Sequence, residues 1–314
     1  MTRRLSPLLV LLGGSVLAFL LIRLAPGDPA LARLGLEADA ASVAAMRRNM
    51  ALDEPILLQY VHWLSHVLTG DLGRSLQTGR PVLPLLLGAL GPTALLSFAA
   101  LALSTMIAIP AGVVAASRHE TLSDYALSIA AICALSVPSF WLGMLLVLAF
   151  SIHLPALPAS GYVSPAVDPI ACLRHLALPT LTLGIALAAS SLRLTRAAML
   201  EILGADFIRT ARAKGLRRGA ILRRHALPNA MLPIVTLLGL QMGHLFGGVV
   251  VTEILFAWPG LGKLTVDAVF ARDYPVVQGA VLVTAVLFLL INLLTDLLYV
   301  RLDARIGRMG GGAS

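Results

Sequence analysis

The sequence predicts an all-α protein that crosses a membrane about six times, with both termini in the cytoplasm. The 314 residues are 58% hydrophobic and only 13% charged, whereas a soluble domain is about one quarter charged. The apolar residues form runs long enough to cross a bilayer, which takes about 20 residues. The 24 Lys and Arg residues outnumber the 16 acidic residues. Many of them lie between the apolar runs, which argues against nucleic-acid binding as the reason for the net charge.

The first predicted span is Leu5–Leu24, which follows Arg3 and Arg4. A signal peptide begins in the same way, but this apolar run is longer than usual and has no small-residue cleavage site after it. We therefore interpret it as an uncleaved span. Five further apolar runs complete the set: Thr93–Ala116, Tyr125–Ile152, Leu176–Leu194, Leu232–Phe256 and Val276–Val300.

The distribution of basic residues orients these spans, because Lys and Arg are enriched in cytoplasmic loops. Arg3 and Arg4 place the N-terminus inside. Counting the spans from there places residues 193–228 inside as well. This loop carries nine basic residues and two acidic ones, Glu201 and Asp206. The chain is thereby divided into a first span (1–25), an extracytoplasmic helical segment (26–92), a core with five spans (93–302) and a cytoplasmic tail (303–314).

The extracytoplasmic segment contains a predicted amphipathic helix in ALDEPILLQYVHWLSHVLTGDLG, with Gly70 and Asp71 as its stop signal. We expect it to form a small helical cap on the outer face of the bundle. His62 and His66 in this helix have the spacing of a metal-binding pair. The HExxH pattern is missing, so we interpret them as surface residues, and no metal site is predicted.

The loop of residues 199–228 is the most basic part of the chain and predicts two short helices. Gly215 is suited to the left-handed backbone that ends a helix, and Pro228 disfavours helical geometry at Leu227. In the first helix, an apolar side is predicted from the helical spacing of Leu200, Leu203, Phe207 and Ala211. The physics alone leaves two interpretations open: a basic amphipathic pair on anionic lipid, or a rigid knob that docks onto a protein.

The same loop resembles the one by which permeases of binding-protein-dependent ABC importers dock onto their ATPase. That pattern is a Glu-Ala-Ala-like triplet, three residues, Gly, nine residues and a residue-x-Leu-Pro ending. Here the triplet is Arg209-Thr210-Ala211, the glycine is Gly215 and the ending is His225 to Pro228. Arg209 and Thr210 depart from the general triplet, and ARAKGL is typical of the dipeptide/oligopeptide/nickel branch.

Nearly the whole chain resembles that branch. Ala304 stands where the branch often has Pro, which affects only the tail. The similar pieces occur in the family's order: LAPGDPA (24–30), LDEPILLQY (52–60), GDLGRSL (70–76), SVPSFWLG (136–143), LPASGY (157–162), RHALPNAMLP (224–233), TEILFAWPGLGKL (252–264), RDYPVVQGA (272–280) and DLLYVRLDARI (296–306).

The resemblance implies a type I ABC importer permease in the cell inner membrane. It implies a sister permease, two ABC ATPases that use ATP and Mg, and an extracytoplasmic substrate-binding protein. The chain itself is expected to bind no cofactor. The resemblance assigns ATPase coupling to Arg209, Thr210, Ala211, Lys214, Gly215, Leu216, His225, Leu227 and Pro228.

The stretch GLGKLT (260–265) invites comparison with a phosphate-binding loop but lacks its chemistry. Ala257 occupies the position of the first glycine, and Leu264 follows the lysine where Ser or Thr is needed. We interpret the stretch as a turn at Pro259 and Gly260. The sequence therefore predicts a transport subunit that is not an enzyme, driven by a separate ATPase.

Polar residues in the apolar runs are candidates for the translocation path, because polar side chains at membrane depth usually face protein or water. His244 lies in an apolar run, and Pro138 should break another, with neighbouring serines stabilising the break. The sequence leaves open whether such residues line a path or only bond helices together. The candidates are Ser136, Pro138, Ser139, Gln241, His244 and Glu253.

Two other function classes were weighed. An intramembrane enzyme would need a Ser–His, paired-Asp or HExxH arrangement at membrane depth. An ion-coupled secondary transporter would predict inverted repeats and carboxylates near the midplane, whereas the acidic residues here lie toward the span ends. The permease is therefore preferred. Its substrate class stays open between peptides and nickel or a nickel chelate, with GDPA (27–30) and FAWPG (256–260) slightly favouring the nickel-type members.

Overall fold

The computed structural model describes residues 11–20, 39–49 and 53–302, and its regular elements over these ranges are helices. An isolated antiparallel bridge joins Arg74 and Pro81. Two π-helical turns, Leu148–His153 and Ile221–Ala226, lie between helices. In chain order the helices are α1 (Leu11–Leu20), α2 (Ala40–Asn49), α3 (Ile56–Leu68), α4 (Val82–Ser117), α5 (Leu122–Ser136), α6 (Ser139–Val147), α7 (Pro169–Gly204), α8 (Asp206–Ala213), α9 (Arg218–Ala220), α10 (Leu227–Gly248), α11 (Val250–Leu255), α12 (Leu261–Phe270) and α13 (Tyr274–Leu302).

Four helical stretches are long and apolar enough to cross a membrane individually. They are Val82–Ser117, Pro169–Gly204, Arg218–Gly247 and Tyr274–Leu297. A fifth crossing is the pair α5 and α6, which is bent by 96° at its break. The first predicted span, Leu5–Leu24, lies partly outside the described residues, and α1 covers its middle. The all-helical, multi-pass architecture is thus confirmed, while the orientation of the termini stays a prediction.

Helix α4 begins at Val82, eleven residues before the predicted start at Thr93. Gly91 and Pro92 directly precede Thr93, and both residue types disfavour a helix interior. Packing overrides that preference, since Val82 and Leu86 are fully buried in a cluster with α12 and α13. The helix is 36 residues long, or about 54 Å at 1.5 Å per residue. It therefore exceeds the thickness of the hydrocarbon core.

Residues 1–93 and 259–289 form one compact unit. Asp273 links two of its loops: its carboxylate accepts hydrogen bonds from the Ser75 hydroxyl and, at 3.0 Å, from the Leu76 backbone N–H. The Gln77 side chain adds a 2.8 Å bond to the carbonyl of Ala271. These contacts bring GDLGRSL and RDYPVVQGA together, although the two stretches are about 200 residues apart in the sequence.

The predicted amphipathic helix of this unit is confirmed as α3. It ends at Leu68, and Gly70 follows with a φ of +84°. Tyr60 and Trp63 pack their rings against Phe19 of α1, at centroid distances of 5.2 and 5.6 Å. The opposite side carries exposed apolar residues, so α3 is covered on one side only.

Residues 94–258 and 290–314 form the second compact unit. Helix α7 is its centre and packs against α5, α6, α10 and α11. Small residues bring α4 close to α7. A Cβ added to Gly112 would lie 2.6 Å from Thr195 Cβ, and one added to Gly184 would lie 2.8 Å from Leu103. Such close helix contacts are a common means of association in membranes.

Two predicted spans are interrupted in this unit. Tyr125–Ile152 breaks at Val137 and Pro138, where the backbone is extended between α5 and α6. The break was expected from Pro138, which has no N–H to donate. Leu232–Phe256 is interrupted at Val249, between α10 and α11. This second break was not predicted from the sequence.

Candidate functional site

The loop of residues 199–228, which we call the coupling loop and predict to be cytoplasmic, begins at the end of α7. Ala205 adopts an extended conformation (φ −71°, ψ 150°) and separates α7 from α8. Ile208 and Ala211 of α8 are buried in a cluster with the ends of α4, α7 and α10. Phe207 was predicted to share one helical side with Leu200, Leu203 and Ala211, and it is 45% exposed. The shared side was wrong, because Ala205 interrupts the helical register on which it was counted.

Gly215 ends α8 as predicted, with a φ of +77°. Its N–H donates to the carbonyl of Arg212 at 2.9 Å, and the N–H of Leu216 donates to that of Ala211 at 3.3 Å. This pair of bonds is the Schellman arrangement, which satisfies the last carbonyls of a helix. An added Cβ at Gly215 would have no described atom within 4 Å. Backbone geometry, rather than space, is therefore the reason for glycine here.

The second half of the coupling loop differs from the prediction. Pro228 was expected to end a short helix at Leu227. Instead, Arg218–Gly247 is one continuous helical stretch, and Pro228 lies in the first turn of α10. The π-helical turn Ile221–Ala226 precedes the proline, and a π turn changes which carbonyl each N–H meets. In addition, the Asn229 side chain donates to the carbonyl of His225 at 2.6 Å.

The predicted coupling residues divide by exposure. Arg209 and Thr210 are exposed on α8, whereas the next residue, Ala211, is buried. Arg209 also pairs with Asp206 at 3.3 Å, on a surface open to solvent. Lys214, Gly215, Leu216 and Pro228 are exposed as well, and His225 and Leu227 are half-buried. The coupling loop thus offers an outward surface on a buried apolar base.

A recess of about 630 Å³ lies beside this surface. Arg212, Leu216 and Arg218 line one side, and Ser117 and His119 line the other. The Arg218 guanidinium donates to the carbonyl of Ser117, the last residue of α4. The recess is therefore basic, and its shape depends on a contact between the coupling loop and α4.

Gln241, a candidate path residue, lies buried between α10 and α7. Its amide donates to the hydroxyls of Ser190 at 2.9 Å and Ser191 at 3.0 Å. It also lies 3.3 Å from the carbonyl of Leu187. This geometry is that of an interhelical hydrogen-bond network. It favours the structural alternative for Gln241, and the path role stays a prediction.

His244 and Glu253 lie in opposite environments. His244 is exposed on α10, three residues from the buried Gln241. Glu253 of α11 is fully buried. An exposed imidazole in an apolar span needs water or a protein partner, because contact with lipid is costly. His244 is therefore the better candidate for a path or a subunit contact.

The remaining path candidates lie at the bend between α5 and α6. The Ser136 hydroxyl donates to the carbonyl of Ile132 at 2.9 Å, and Pro138 precedes the first residue of α6, Ser139. A Cβ added to Gly143 would lie 2.7 Å from Leu255 and 3.2 Å from Thr182. The bend thus places α6 tightly against α7 and α11.

One contact between distant motifs was missed from the sequence. The N–H of Gly161 donates to the carbonyl of Phe256 at 2.8 Å, and the rings of Tyr162 and Trp258 meet edge to face at 4.8 Å. LPASGY and FAWPG therefore form one structure. A φ of +104° at Gly161 explains the glycine. In the sequence, the available signal for this contact was that Tyr162 and Trp258 each stand near small residues.

The stretch GLGKLT does not form a phosphate loop. Gly260 precedes α12, and Leu261 to Thr265 lie within that helix. Lys263 pairs with Asp267 one turn later on the same helix. The predicted turn at Pro259 and Gly260 therefore leads directly into a helix whose lysine already has an acidic neighbour.

Several helices long and apolar enough to cross a membrane, joined by a loop with a glycine-capped helix, are the features of this chain with which known proteins are compared. The sequence model of the family described as "Binding-protein-dependent transport system inner membrane component" matches residues 108–308. The model of its N-terminal part matches residues 1–90. The chain belongs to this family. It is therefore a multi-pass protein of the inner membrane and a permease subunit of an ABC transport system.

Curated relatives match over nearly the full length. The probable peptide ABC transporter permease protein y4tP of Sinorhizobium fredii is 43% identical over 304 residues, covering 97% of each chain. The glutathione transport system permease GsiC of Escherichia coli is 41% identical over 292 residues, covering 93% of each. The probable D,D-dipeptide transport system permease DdpB of Escherichia coli is 40% identical, covering 96% of this chain and 95% of that protein.

Among solved structures, an inward-facing MetNI methionine ABC transporter matches with a TM-score of 0.55 and 22% identity. The match covers 70% of this chain and 96% of that chain. The type I importer permease fold predicted from the sequence is thereby confirmed.

Proposed function

We propose that this chain is one of two permease subunits in an ATP-driven importer of short peptides. It pairs with a sister permease, receives its substrate from an extracytoplasmic binding protein, and is moved by two ATPase subunits that use ATP and Mg. The chain contributes no ATP chemistry of its own. Its work is to bind partners and to change conformation.

The observation that carries the proposal is the coupling loop. Its outward surface combines Arg209 and Lys214 with the exposed apolar side chains of Phe207 and Leu216. Apolar residues surrounded by basic ones suit a protein partner with an apolar groove and an acidic rim. The recess beside Arg212 adds a concave feature into which a partner side chain fits. The buried base of α8 and its Gly215 cap hold this surface rigidly on α7.

The substrate class follows from the relatives. The full-length relatives above carry peptide, glutathione or D,D-dipeptide in their names, and all three are peptides or peptide-like solutes. A peptide substrate is therefore preferred over nickel, although GDPA and FAWPG slightly favoured the nickel-type members of the family. The nickel alternative stays a prediction that these relatives do not support.

In this function, the binding protein delivers a peptide to the outer face while the ATPases are apart. ATP binding draws the ATPases together and displaces both coupling loops. Because α8 rests on α4, α7 and α10, its displacement reaches the spans as a rigid movement and changes which side of the membrane the path faces.

The experiment is reconstitution of the chain in liposomes with its sister permease, ATPases and binding protein. Uptake of a labelled dipeptide, of glutathione and of nickel is measured in parallel, with ATP hydrolysis as a second readout. We expect peptide uptake that depends on ATP and on the binding protein. ATP-dependent nickel uptake without peptide uptake would reverse the substrate assignment.

Docking is tested separately by copurification of the ATPases. Phe207→Glu and Leu216→Glu place a charge on the apolar part of the coupling-loop surface and should abolish copurification. Val167→Glu is the control, since Val167 is 81% exposed and lies before α7 at its predicted outer end. Normal ATPase copurification with both coupling-loop variants would contradict the docking proposal.

A further inference from the structure

Asp124 and Arg196 form an ion pair that the candidate site does not include. Arg196 Nε lies 2.6 Å from one carboxylate oxygen of Asp124, and its Nη2 lies 2.7 Å from the other. The Asp124 side chain is 2% exposed and the Arg196 side chain 28% exposed. Two parallel charge-assisted bonds fix both distance and orientation, so this pair is a rigid link between α5 and α7.

The position of this ion pair in the fold indicates its role. Arg196 lies eight residues before Gly204, where α7 gives way to the coupling loop. Asp124 is the third residue of α5, the first half of the span that bends at Pro138. The link therefore joins the helix that carries the coupling loop to the span that carries Ser136, Pro138 and Ser139.

The loop before α5 is held by the same carboxylate. The backbone N–H of Glu120 donates to Asp124 at 3.1 Å, and Glu120 has a φ of +61°. On the other side of this short loop, Ser117 accepts the bond from Arg218 of the coupling loop. Residues 117–124 are thus attached to Arg218 of the coupling loop at one end and to Arg196 of α7 at the other.

Stability alone is a weak reason for such a pair. Replacing a buried ion pair by apolar residues is often neutral or stabilising, whereas removing one partner leaves a costly unpaired charge. Small apolar residues of α5 and α7, such as Ala131, Ala188 and Ala189, also pack together in one buried cluster. Such smooth contacts allow sliding, and the bidentate link fixes one relative position of the two helices.

We propose that Asp124 and Arg196 are positioning residues that make α5 follow α7 when the coupling loop is displaced. ATP-driven movement thereby reaches the bend at Pro138 rather than ending at α7. The inference rests on the proposed function, because it takes residues 199–228 as the loop that the ATPases move. Without the ion pair, ATP hydrolysis continues, but the bent span formed by α5 and α6 does not move with α7.

The test uses the complete reconstituted complex. In the complexes that assemble, Arg196→Gln and Asp124→Asn should retain ATPase copurification, since neither residue lies on the coupling-loop surface. Peptide uptake per ATP hydrolysed should fall about tenfold, in the range by which residues between coupled sites act. The KM for ATP should not change. Arg193→Gln is the matched control, because Arg193 is exposed on the same helix, and it should behave as wild type.

Two further variants separate coupling from folding. Arg196→Lys keeps the charge but loses the two-pronged geometry, so we expect it to assemble normally and to be partly uncoupled. The double variant with Asp124→Arg and Arg196→Asp should recover part of the uptake per ATP. A parallel loss of complex yield, ATP hydrolysis and uptake in Arg196→Lys, or unchanged uptake per ATP in Arg196→Gln, would overturn the inference.

A readout independent of the substrate distinguishes this inference from the proposed function. Cys133 is exposed on α5, whereas Cys172 is buried. In wild type, the rate at which a membrane-permeant maleimide labels Cys133 should change when ATP is bound without hydrolysis, and Cys133→Ser supplies the blank. In Arg196→Gln this nucleotide-dependent change should disappear, even if the transported solute is not a peptide. An unchanged response in Arg196→Gln would show that α5 does not depend on the link.

Discussion

The side-chain amide of Gln241 on α10 lies 2.9 Å from Ser190 Oγ and 3.0 Å from Ser191 Oγ on α7. One polar residue in an apolar span is thereby saturated by two hydroxyls of the neighbouring helix. Three residues later, His244 is exposed. The same helix thus presents one polar residue to its own subunit and another to its surroundings.

Gln241→Leu is expected to weaken the α7–α10 contact. It removes the amide from the buried hydroxyl of Ser191 and the half-buried hydroxyl of Ser190, and interhelical hydrogen bonds in membranes contribute about 1 kcal/mol. The midpoint of thermal unfolding of the purified complex should fall, while peptide uptake per assembled complex stays close to wild type. Loss of uptake at an unchanged unfolding midpoint would instead assign Gln241 to the path.

His244→Leu is expected to have the opposite effect. The substitution removes an exposed imidazole without disturbing a described hydrogen bond, so complex yield and unfolding temperature should persist. Uptake should decrease if His244 lines the path. The combination that contradicts this is a lower yield or thermal stability with unchanged uptake per complex, which would make His244 a structural partner.

Gly215→Val is expected to weaken ATPase docking and uptake, with normal membrane insertion. A non-glycine residue in the left-handed region costs roughly 1–2 kcal/mol, and β-branched residues resist it most. Gly219→Val is the matched control. An added Cβ would have no described atom within 4 Å at either glycine, but Gly219 lies in the short helix α9. Normal substrate-stimulated ATP hydrolysis in Gly215→Val would refute the need for this geometry.

The orientation of the chain is tested by labelling. Lys214→Cys and Thr78→Cys place single thiols on two exposed loops, in a background where Cys133 and Cys172 are replaced by Ser. An impermeant thiol reagent should label Lys214→Cys only in inside-out vesicles and Thr78→Cys only in right-side-out vesicles. Labelling of both positions in the same vesicles would contradict the predicted arrangement of spans.

Local sequence chemistry was enough to predict part of this structure. The φ of Gly215 depends on its lack of a side chain, and the break at Pro138 depends on its missing N–H. Both properties belong to the residue itself. For the same reason the amphipathic helix α3 was predicted, since its apolar spacing is local. The family pieces then placed the coupling loop at the correct residues.

The errors have a different physical origin. The outward position of Phe207 depends on one extended residue, Ala205, that nothing in its neighbourhood demands. The early start of α4 at Val82 depends on burial against α12 and α13, which are more than 170 residues away in the sequence. The Asp124–Arg196 pair also joins residues that are far apart in the sequence, with a separation of 72 residues. Composition and periodicity carry no information about such encounters.

The π-helical turn Ile221–Ala226 sets the rotational phase of α10. A π turn holds one more residue than an α turn, and each residue of an α-helix turns the axis by about 100°. Deleting one residue here, for example Leu222, and restoring a plain α-helix would rotate α10 relative to α8, the first helix of the coupling loop. Gln241 would then point away from Ser190 and Ser191, and His244 would face a different neighbour. One additional amino acid at the membrane surface thus decides which side of α10 faces its own subunit.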